Sequence, residues 1–288
     1  MWYRYDNKTN KNSNEKRKFK MACRNAYKNA RISKTITKPR PHISMPEVKE
    51  CINRLLFGVD SRFLSSILLQ NNLDMYEWVL RNKTYPNFWG RNINGENALS
   101  KEEVKYIHGY ACKVAPYYIS ENEKETEEQG KLVAQDVISI ARKLEISLGT
   151  AIFLEIGASE RATTKFMRGF ASTMIESGYT PGFKANTDAK YGFDREFSRG
   201  IQINKEIFEK CLIWAVAPSL VEYDRMKTTH LIHPDNWGPF APSGISRKEI
   251  AIWQYGKECH PIEDDFGNLT HFNLNLLRNE DVIIDKMF

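Results

Sequence analysis

The sequence predicts an α/β fold, a single (β/α)8 TIM-type barrel preceded by a basic, flexible extension, and three observations carry that expectation. From about residue 50 onward, short apolar runs alternate with amphipathic helical segments. The runs are almost continuously apolar, as parallel strands covered on both faces require. No G-x-G-x-x-G or Walker pattern opens any helix, which removes the main warrant for an open nucleotide-binding sheet. A chain of 288 residues accommodates one barrel of about 250 residues. A hydrophobic content of 41% is enough to fill its core.

Taken in order, RLLFGVD supplies a first strand ending at Asp60, and NFWGRNI a second from Phe88 to Ile93. Ser100 then starts a helix whose Val104, Ile107 and Ala111 share a face. VAPYYI gives the third strand, Val114 to Ile119. The helix after it carries Leu132, Val133, Val137, Ile140, Ala141 and Leu144 at the spacing of a buried stripe. AIFLEIG is the fourth strand. Phe166, Phe170 and Met174, at i, i+4 and i+8, mark the core face of the next helix, which Gly178 closes. PGFKAN, CLIWAVA and IAIWQYG supply strands five to seven, and LTHFNLNLL, from Leu269 to Leu277, an eighth.

Charge separates the chain into two parts. Residues 1–40 hold 13 Lys/Arg against Asp6 and Glu15, a balance of +11, so the remainder is at −5 although the whole chain is +6. Residues 1–48 are therefore expected to be a flexible basic arm, either a solvated extension or a tether to an acidic partner, with Trp2, Tyr3, Tyr5 and Tyr27 interleaved. Residues 49–288 are expected to form the barrel. The opening MWYRYDNKTNKNSNEKRKFK has no apolar core of the kind a secretory signal needs, so the chain is expected to be cytoplasmic as synthesised. No run is long and apolar enough to span a bilayer. Five scattered cysteines (Cys23, Cys51, Cys112, Cys211, Cys259) without a C-x-x-C pair argue against a disulfide framework or a zinc ribbon. His230 and His233, followed by Asp235, have no obvious third ligand and read as a polar loop. No metal and no cofactor is expected, and composition leaves the oligomeric state open.

Barrel sites form at the carboxyl ends of the strands. The residues there are Asp60, Arg91, Tyr117, Tyr118, Glu155, Lys184, Asn186, Trp214, Trp253, Gln254 and Tyr255, with Trp89 of the second strand as a further stacking ring. Carboxylates and amides among aromatic rings suit a carbohydrate, whose flat apolar faces stack on rings while its hydroxyls take hydrogen bonds. Arg91 or Lys184 beside Asp60 or Glu155 is also the pattern of a purely structural ion pair.

The ordered motifs GVD, FWGR, VAPYY, IFLE, PGFKAN, LIWAVA and IWQYG, from about Cys51 to Phe288, resemble those of glycoside hydrolase family 25 lysozymes. They are closer still to the related bacterial glycoside hydrolase-like domain of unknown function. The resemblance implies a peptidoglycan-type glycan ligand, muramidase-like chemistry, and a role at the cell wall after release or export, as for a phage-type lysin. It also implies acids after the first strand, in a D-x-E pair ending the fourth, and in a D-x-N motif near the last. Asp60 matches the first. Glu155 stands for the Asp of the pair, Gly157 stands where the principal catalytic Glu belongs, and Asn273 replaces the last Asp. Glycine can neither protonate a leaving group nor stabilise positive charge. Either Glu155 serves as the acid, with Asp60 stabilising charge, or Glu160 folds back to serve. The remaining alternative is a barrel that binds or assembles without cutting.

Overall fold

The computed structural model describes residues 55–70, 72–81, 85–121, 123–218, 234, 236–278 and 282–288. The basic arm, Cys23, Cys51, His230, His233 and Asp235 lie outside the described residues. Eight strands close into a barrel in chain order. They are β1 (Leu55–Ser61), β2 (Phe88–Asn92), β3 (Lys113–Ile119), β4 (Ala151–Ile156), β5 (Thr180–Ala185), β6 (Leu212–Val216), β7 (Ile250–Glu263) and β8 (Leu269–Arg278). The helices are α1 (Met75–Arg81), α2 (Lys101–His108), α3 (Glu127–Lys143), α4 (Thr164–Glu176), α5 (Gly192–Ile203) and α6 (Lys205–Phe208).

The closed α/β barrel matches the expectation, with one difference of direction. Strands β1 to β7 pair in parallel with their neighbours, whereas β8 runs antiparallel to both β7 and β1. The reason is the connection: only residues 264–268 separate β7 from β8, too few for a crossover, so the chain turns back as a hairpin. Asp264 fixes that turn by accepting the N–H groups of Phe266 (2.9 Å) and Asn268 (2.8 Å) through Oδ1.

The helix start marked by the sequence at Ser100 is observed, and the structure adds caps at Thr126 and Thr163. Ser100 accepts from Glu103 N–H at the head of α2, and Thr163 from Phe166 N–H at the head of α4. Thr126 and Gln129 form a reciprocal capping box on α3. Phe166, Phe170 and Met174 are fully buried. On α3 the buried stripe is Val133, Ala134, Val137, Ile138 and Ala141; Leu132, expected within it, is 54% exposed.

Two apolar layers result. One lies between the sheet and the helices; the other fills the barrel. Trp214 stands at the centre of the inner layer, edge-on to Phe88, Tyr117 and Phe153 at centroid distances of 6.4, 6.0 and 5.3 Å. Glycines on β1, β2 and β5 give these rings their space. A Cβ on Gly58 would lie 2.2 Å from the Phe88 ring, one on Gly90 2.5 Å from Trp214, and one on Gly182 2.4 Å from Phe153. At the amino ends of the strands, Ile283 and Met287 enter the inner layer. Phe288 exchanges two backbone hydrogen bonds with Val114, of 2.8 and 2.9 Å.

Gly90→Ala should therefore cost at least about 2 kcal/mol, because neither Asp60 Cβ nor the indole can retreat. Gly192→Ala, with nothing within 4 Å of the added carbon at the start of α5, should stay within about 0.5 kcal/mol of the parent. Urea unfolding of both variants checks the contrast; equal midpoints would refute the packing account.

Candidate functional site

Successive side chains of a strand face opposite sides of a sheet, so each adjacent pair in the motifs is split between mouth and outer layer. On β3, Tyr117 faces in and Tyr118 faces the helices; on β7, Gln254 faces in while Trp253 and Tyr255 face out. The inward positions that end the strands line a cavity of about 640 Å³ at their carboxyl ends. Of the expected residues, Asp60, Tyr117, Glu155, Lys184, Asn186, Gln254 and Asn273 line it. Trp214 sits one tier deeper, beneath Lys184.

The other expected contacts do not reach the mouth. Trp89 is fully buried in the outer layer and stacks on Tyr76 at 4.8 Å. Tyr118 and Tyr255 are buried in that same layer, and Trp253 there donates to Ala217 O at 2.8 Å. Arg91 is also fully buried. Its guanidinium bonds Glu103 (2.9 Å), Ser61 O (2.7 Å), Asn92 Oδ1 (2.9 Å) and Asn97 O (2.5 Å). Glu103 in turn accepts from Ser65 N and Oγ at 2.7 and 2.8 Å. This network ties the ends of β1 and β2 to α2 and leaves no donor for a ligand. These five residues are thus corrected from binding groups to packing groups, because their strand parity points them outward.

At the centre of the mouth lies one ammonium. Lys184 Nζ is 2.6 Å from Asp60 Oδ2 and 3.2 Å from Glu155 Oε2. The same nitrogen lies over the rings of Tyr117 (4.1 Å) and Trp214 (4.7 Å). Asp60 is 1% exposed, and its oxygens are filled by Asn273 Nδ2 (2.9 Å) and Asn275 Nδ2 (2.7 Å). Asn275 also accepts from Trp214 Nε1 at 2.8 Å, joining the polar centre to the aromatic floor. Arg62 pairs with the other oxygen of Glu155.

The electrostatics follow from this arrangement. Burial alone would raise the Glu155 pKa, but Lys184 and Arg62 outweigh it and hold the carboxyl below its ordinary range. Burial would likewise lower the Lys184 pKa, yet Asp60 and Glu155 raise it, so the ammonium stays charged. Burial raises the Tyr117 hydroxyl, which stays protonated. His271, at the rim and edge-on to Phe63, is lowered by burial and is neutral near pH 7.

Sequence reasoning missed Arg62 and Asn275. Asn275 was within reach, since it lies two residues from Asn273 on a strand and so shares its face. Arg62 follows the end of β1, and no periodicity announces where it points. Glu160 does not line the cavity. Its carboxylate accepts from Gly157 N–H (2.9 Å) and pairs with Lys124 (3.0 Å). A Cβ on Gly157 would meet its Cδ at 3.1 Å. No cluster able to hold a metal is present among the described residues.

No family model matches the sequence, and no curated protein matches it. Among solved structures, an uncharacterised B. stearothermophilus protein shares the fold at a TM-score of 0.65, with 22% identity over 81% of this chain and 100% of that one. An endolysin catalytic domain from a bacteriophage of Listeria monocytogenes follows at 0.48 and 14% identity, covering 81% of this chain and 97% of that one. A family GH25 lysozyme from Aspergillus fumigatus superposes at 0.45 with 11% identity, over 81% and 98% of the two chains.

Lys184→Met should destabilise the fold by about 3–5 kcal/mol near pH 7, since it leaves buried carboxylates without their counter-ion. Glu155, held low in the folded state, contributes stability above its unfolded pKa and loses it as pH falls through the folded one. The deficit of the variant should therefore narrow toward pH 4, where protonation removes the uncompensated charge. Urea unfolding at both pH values tests this; an equal deficit would contradict it.

Proposed function

We propose that the barrel mouth binds a cell-wall glycan of the peptidoglycan type without hydrolysing it. One observation carries the non-hydrolytic part: Lys184 sits between Asp60 and Glu155, and Arg62 takes the remaining side of Glu155. Glycoside hydrolysis needs a carboxyl group that holds a proton for the leaving oxygen and a second that acts on the sugar centre. Glu155 is ionised by its cations and cannot hold that proton at neutral pH. Asp60 is filled on both oxygens, and Asn273, where the resemblance implies an acid, acts instead as an amide donor to it.

The glycan part rests on the ordered motifs, the barrel fold, and the make-up of the cavity. Its amides, carboxylates and guanidinium offer directional bonds to hydroxyls, and Tyr191, 38% exposed at the rim, offers a ring face to a sugar. The hydrolytic alternative has one observation in its favour. The Glu160 carboxylate stands close to where a side chain at position 157 would begin. Against it, that carboxylate is held by Lys124 and by the Gly157 N–H.

The full chain should co-sediment with insoluble peptidoglycan and release no reducing ends from it over prolonged incubation. Tyr191→Ala should weaken retention by about tenfold, the worth of one stacking contact. Reducing ends that appear with the parent chain and vanish in Glu155→Gln or Glu160→Gln would overturn the non-hydrolytic reading.

A further inference from the structure

Charge at the mouth is balanced, and one neutral imidazole stands beside the balance. Among the described residues, the cavity is lined by three carboxylates, Asp60, Glu155 and Glu258, and by three cations, Arg62, Lys184 and Lys257. His271 lines it as well and is half-buried. Burial lowers the pKa of its ring, so it adds no charge near pH 7.

Strand register gathers charged groups around that ring. Asn273 and Asn275 point inward from β8 to Asp60, so His271, two residues before Asn273, shares their face. Asp60 lies opposite Asn273 on β1, and the same register carried past the strand end sets Arg62 opposite His271. On the other side, the Glu258 N–H donates to Asn273 Oδ1 at 2.8 Å, which holds Lys257 and Glu258 along the same edge. Lys257 and Glu258 pair at 3.5 Å, and both stand half out in solvent. The ring is fixed in place: Phe63 lies edge-on to it at 5.5 Å, and Ser61 Oγ donates to the His271 carbonyl at 2.8 Å. The charged groups that act on it are therefore Asp60 and Arg62 from the β1 side and Lys257 and Glu258 from β7.

An anion entering this mouth breaks the balance, because its charge adds to three carboxylates with no surplus cation to offset it. A proton on His271 supplies the missing positive charge, at the edge where Arg62 and Lys257 already stand. From this geometry we infer that Arg62, Lys257 and His271 form a subsite for a carboxylate carried by the ligand, which enters together with one proton taken up by His271. Anion and proton then favour each other's binding by the same factor. The bound anion raises the His271 pKa, so affinity is greatest below the pKa of the free protein and declines as pH rises through that of the complex. The inference rests on the glycan reading and deepens it by naming an acidic substituent as the group that is read, and pH as what regulates the reading.

Isothermal titration of the full chain with the GlcNAc–MurNAc disaccharide and with N,N′-diacetylchitobiose tests the subsite, since the two differ by one lactyl carboxylate. At about pH 6, in two buffers of different ionisation enthalpy, the acidic disaccharide should bind with net proton uptake and the neutral one with none. Between about pH 7.5 and about pH 5.5, affinity for the acidic disaccharide should rise about tenfold, the worth of one charge-assisted hydrogen bond, while that for the neutral one stays within about twofold. His271→Gln keeps a hydrogen-bonding side chain that cannot charge, and should lose both the proton uptake and the pH response. By reciprocity, the His271 ring signal in the NMR spectrum of the parent should titrate about one pH unit higher with the acidic disaccharide bound. Binding of that disaccharide without proton uptake, or uptake that persists in His271→Gln, overturns the inference and leaves glycan binding intact. Retention on peptidoglycan without binding of the acidic disaccharide does the same. Absence of binding to either disaccharide and to peptidoglycan overturns both.

Discussion

The arrangement of the barrel mouth depends on where the positive charge of Lys184 goes. An ammonium buried this deeply is tolerable only with opposite charge and rings around it. Asp60, Glu155, Tyr117 and Trp214 supply them from β1, β4, β3 and β6. Five strands thus meet at one nitrogen. The amides of Asn273 and Asn275 then complete Asp60 from β8, so the closing strand is tied to the same centre. An acid at position 273 would set a second negative charge against Asp60. The amide found there is what the lysine-centred arrangement calls for.

The floor beneath this centre is set by volume. Trp214, Phe88, Tyr117 and Phe153 fill a narrow barrel only because Gly58, Gly90 and Gly182 carry no side chain where the rings lie. The packed rings deny water to the underside of the ammonium and strengthen its pairing above. Polar centre and aromatic floor are one unit, joined by the hydrogen bond from Trp214 to Asn275. Above this unit the cavity is lined by Arg62, Asn186, Gln254 and the rim groups.

Most of the fold was readable from the chain. Strand order, the helices after β2, β3 and β4, the cap at Ser100 and the core face of Phe166, Phe170 and Met174 follow from local periodicity, which acts over a few residues; α1, α5 and α6 were not read from it. The site was readable in half. Asp60, Glu155, Lys184, Asn186, Gln254 and Asn273 do line one cavity, but Trp89, Arg91, Tyr118, Trp253 and Tyr255 stand on the opposite face of their strands. In a strand apolar on both faces, hydropathy carries no phase, so an inward tyrosine and its outward neighbour look alike. The parity had to be fixed by a residue of known direction on each strand. The glycines facing the rings give it, but only once the rings are placed.

By itself the sequence determined the succession of strands, the concentration of positive charge in residues 1–40, and the identity of the groups that end the strands. Tertiary structure alone decided which of those groups share space and in what charge state. Asp60 and Lys184 are 124 residues apart and come within hydrogen-bond distance only when the sheet closes. The same closure makes Glu155 an ion-pair partner of Lys184 and Arg62. The reason is physical: a carboxylate's behaviour is set by charge and solvent within a few ångströms, and in a barrel those neighbours arrive from strands far away in the chain.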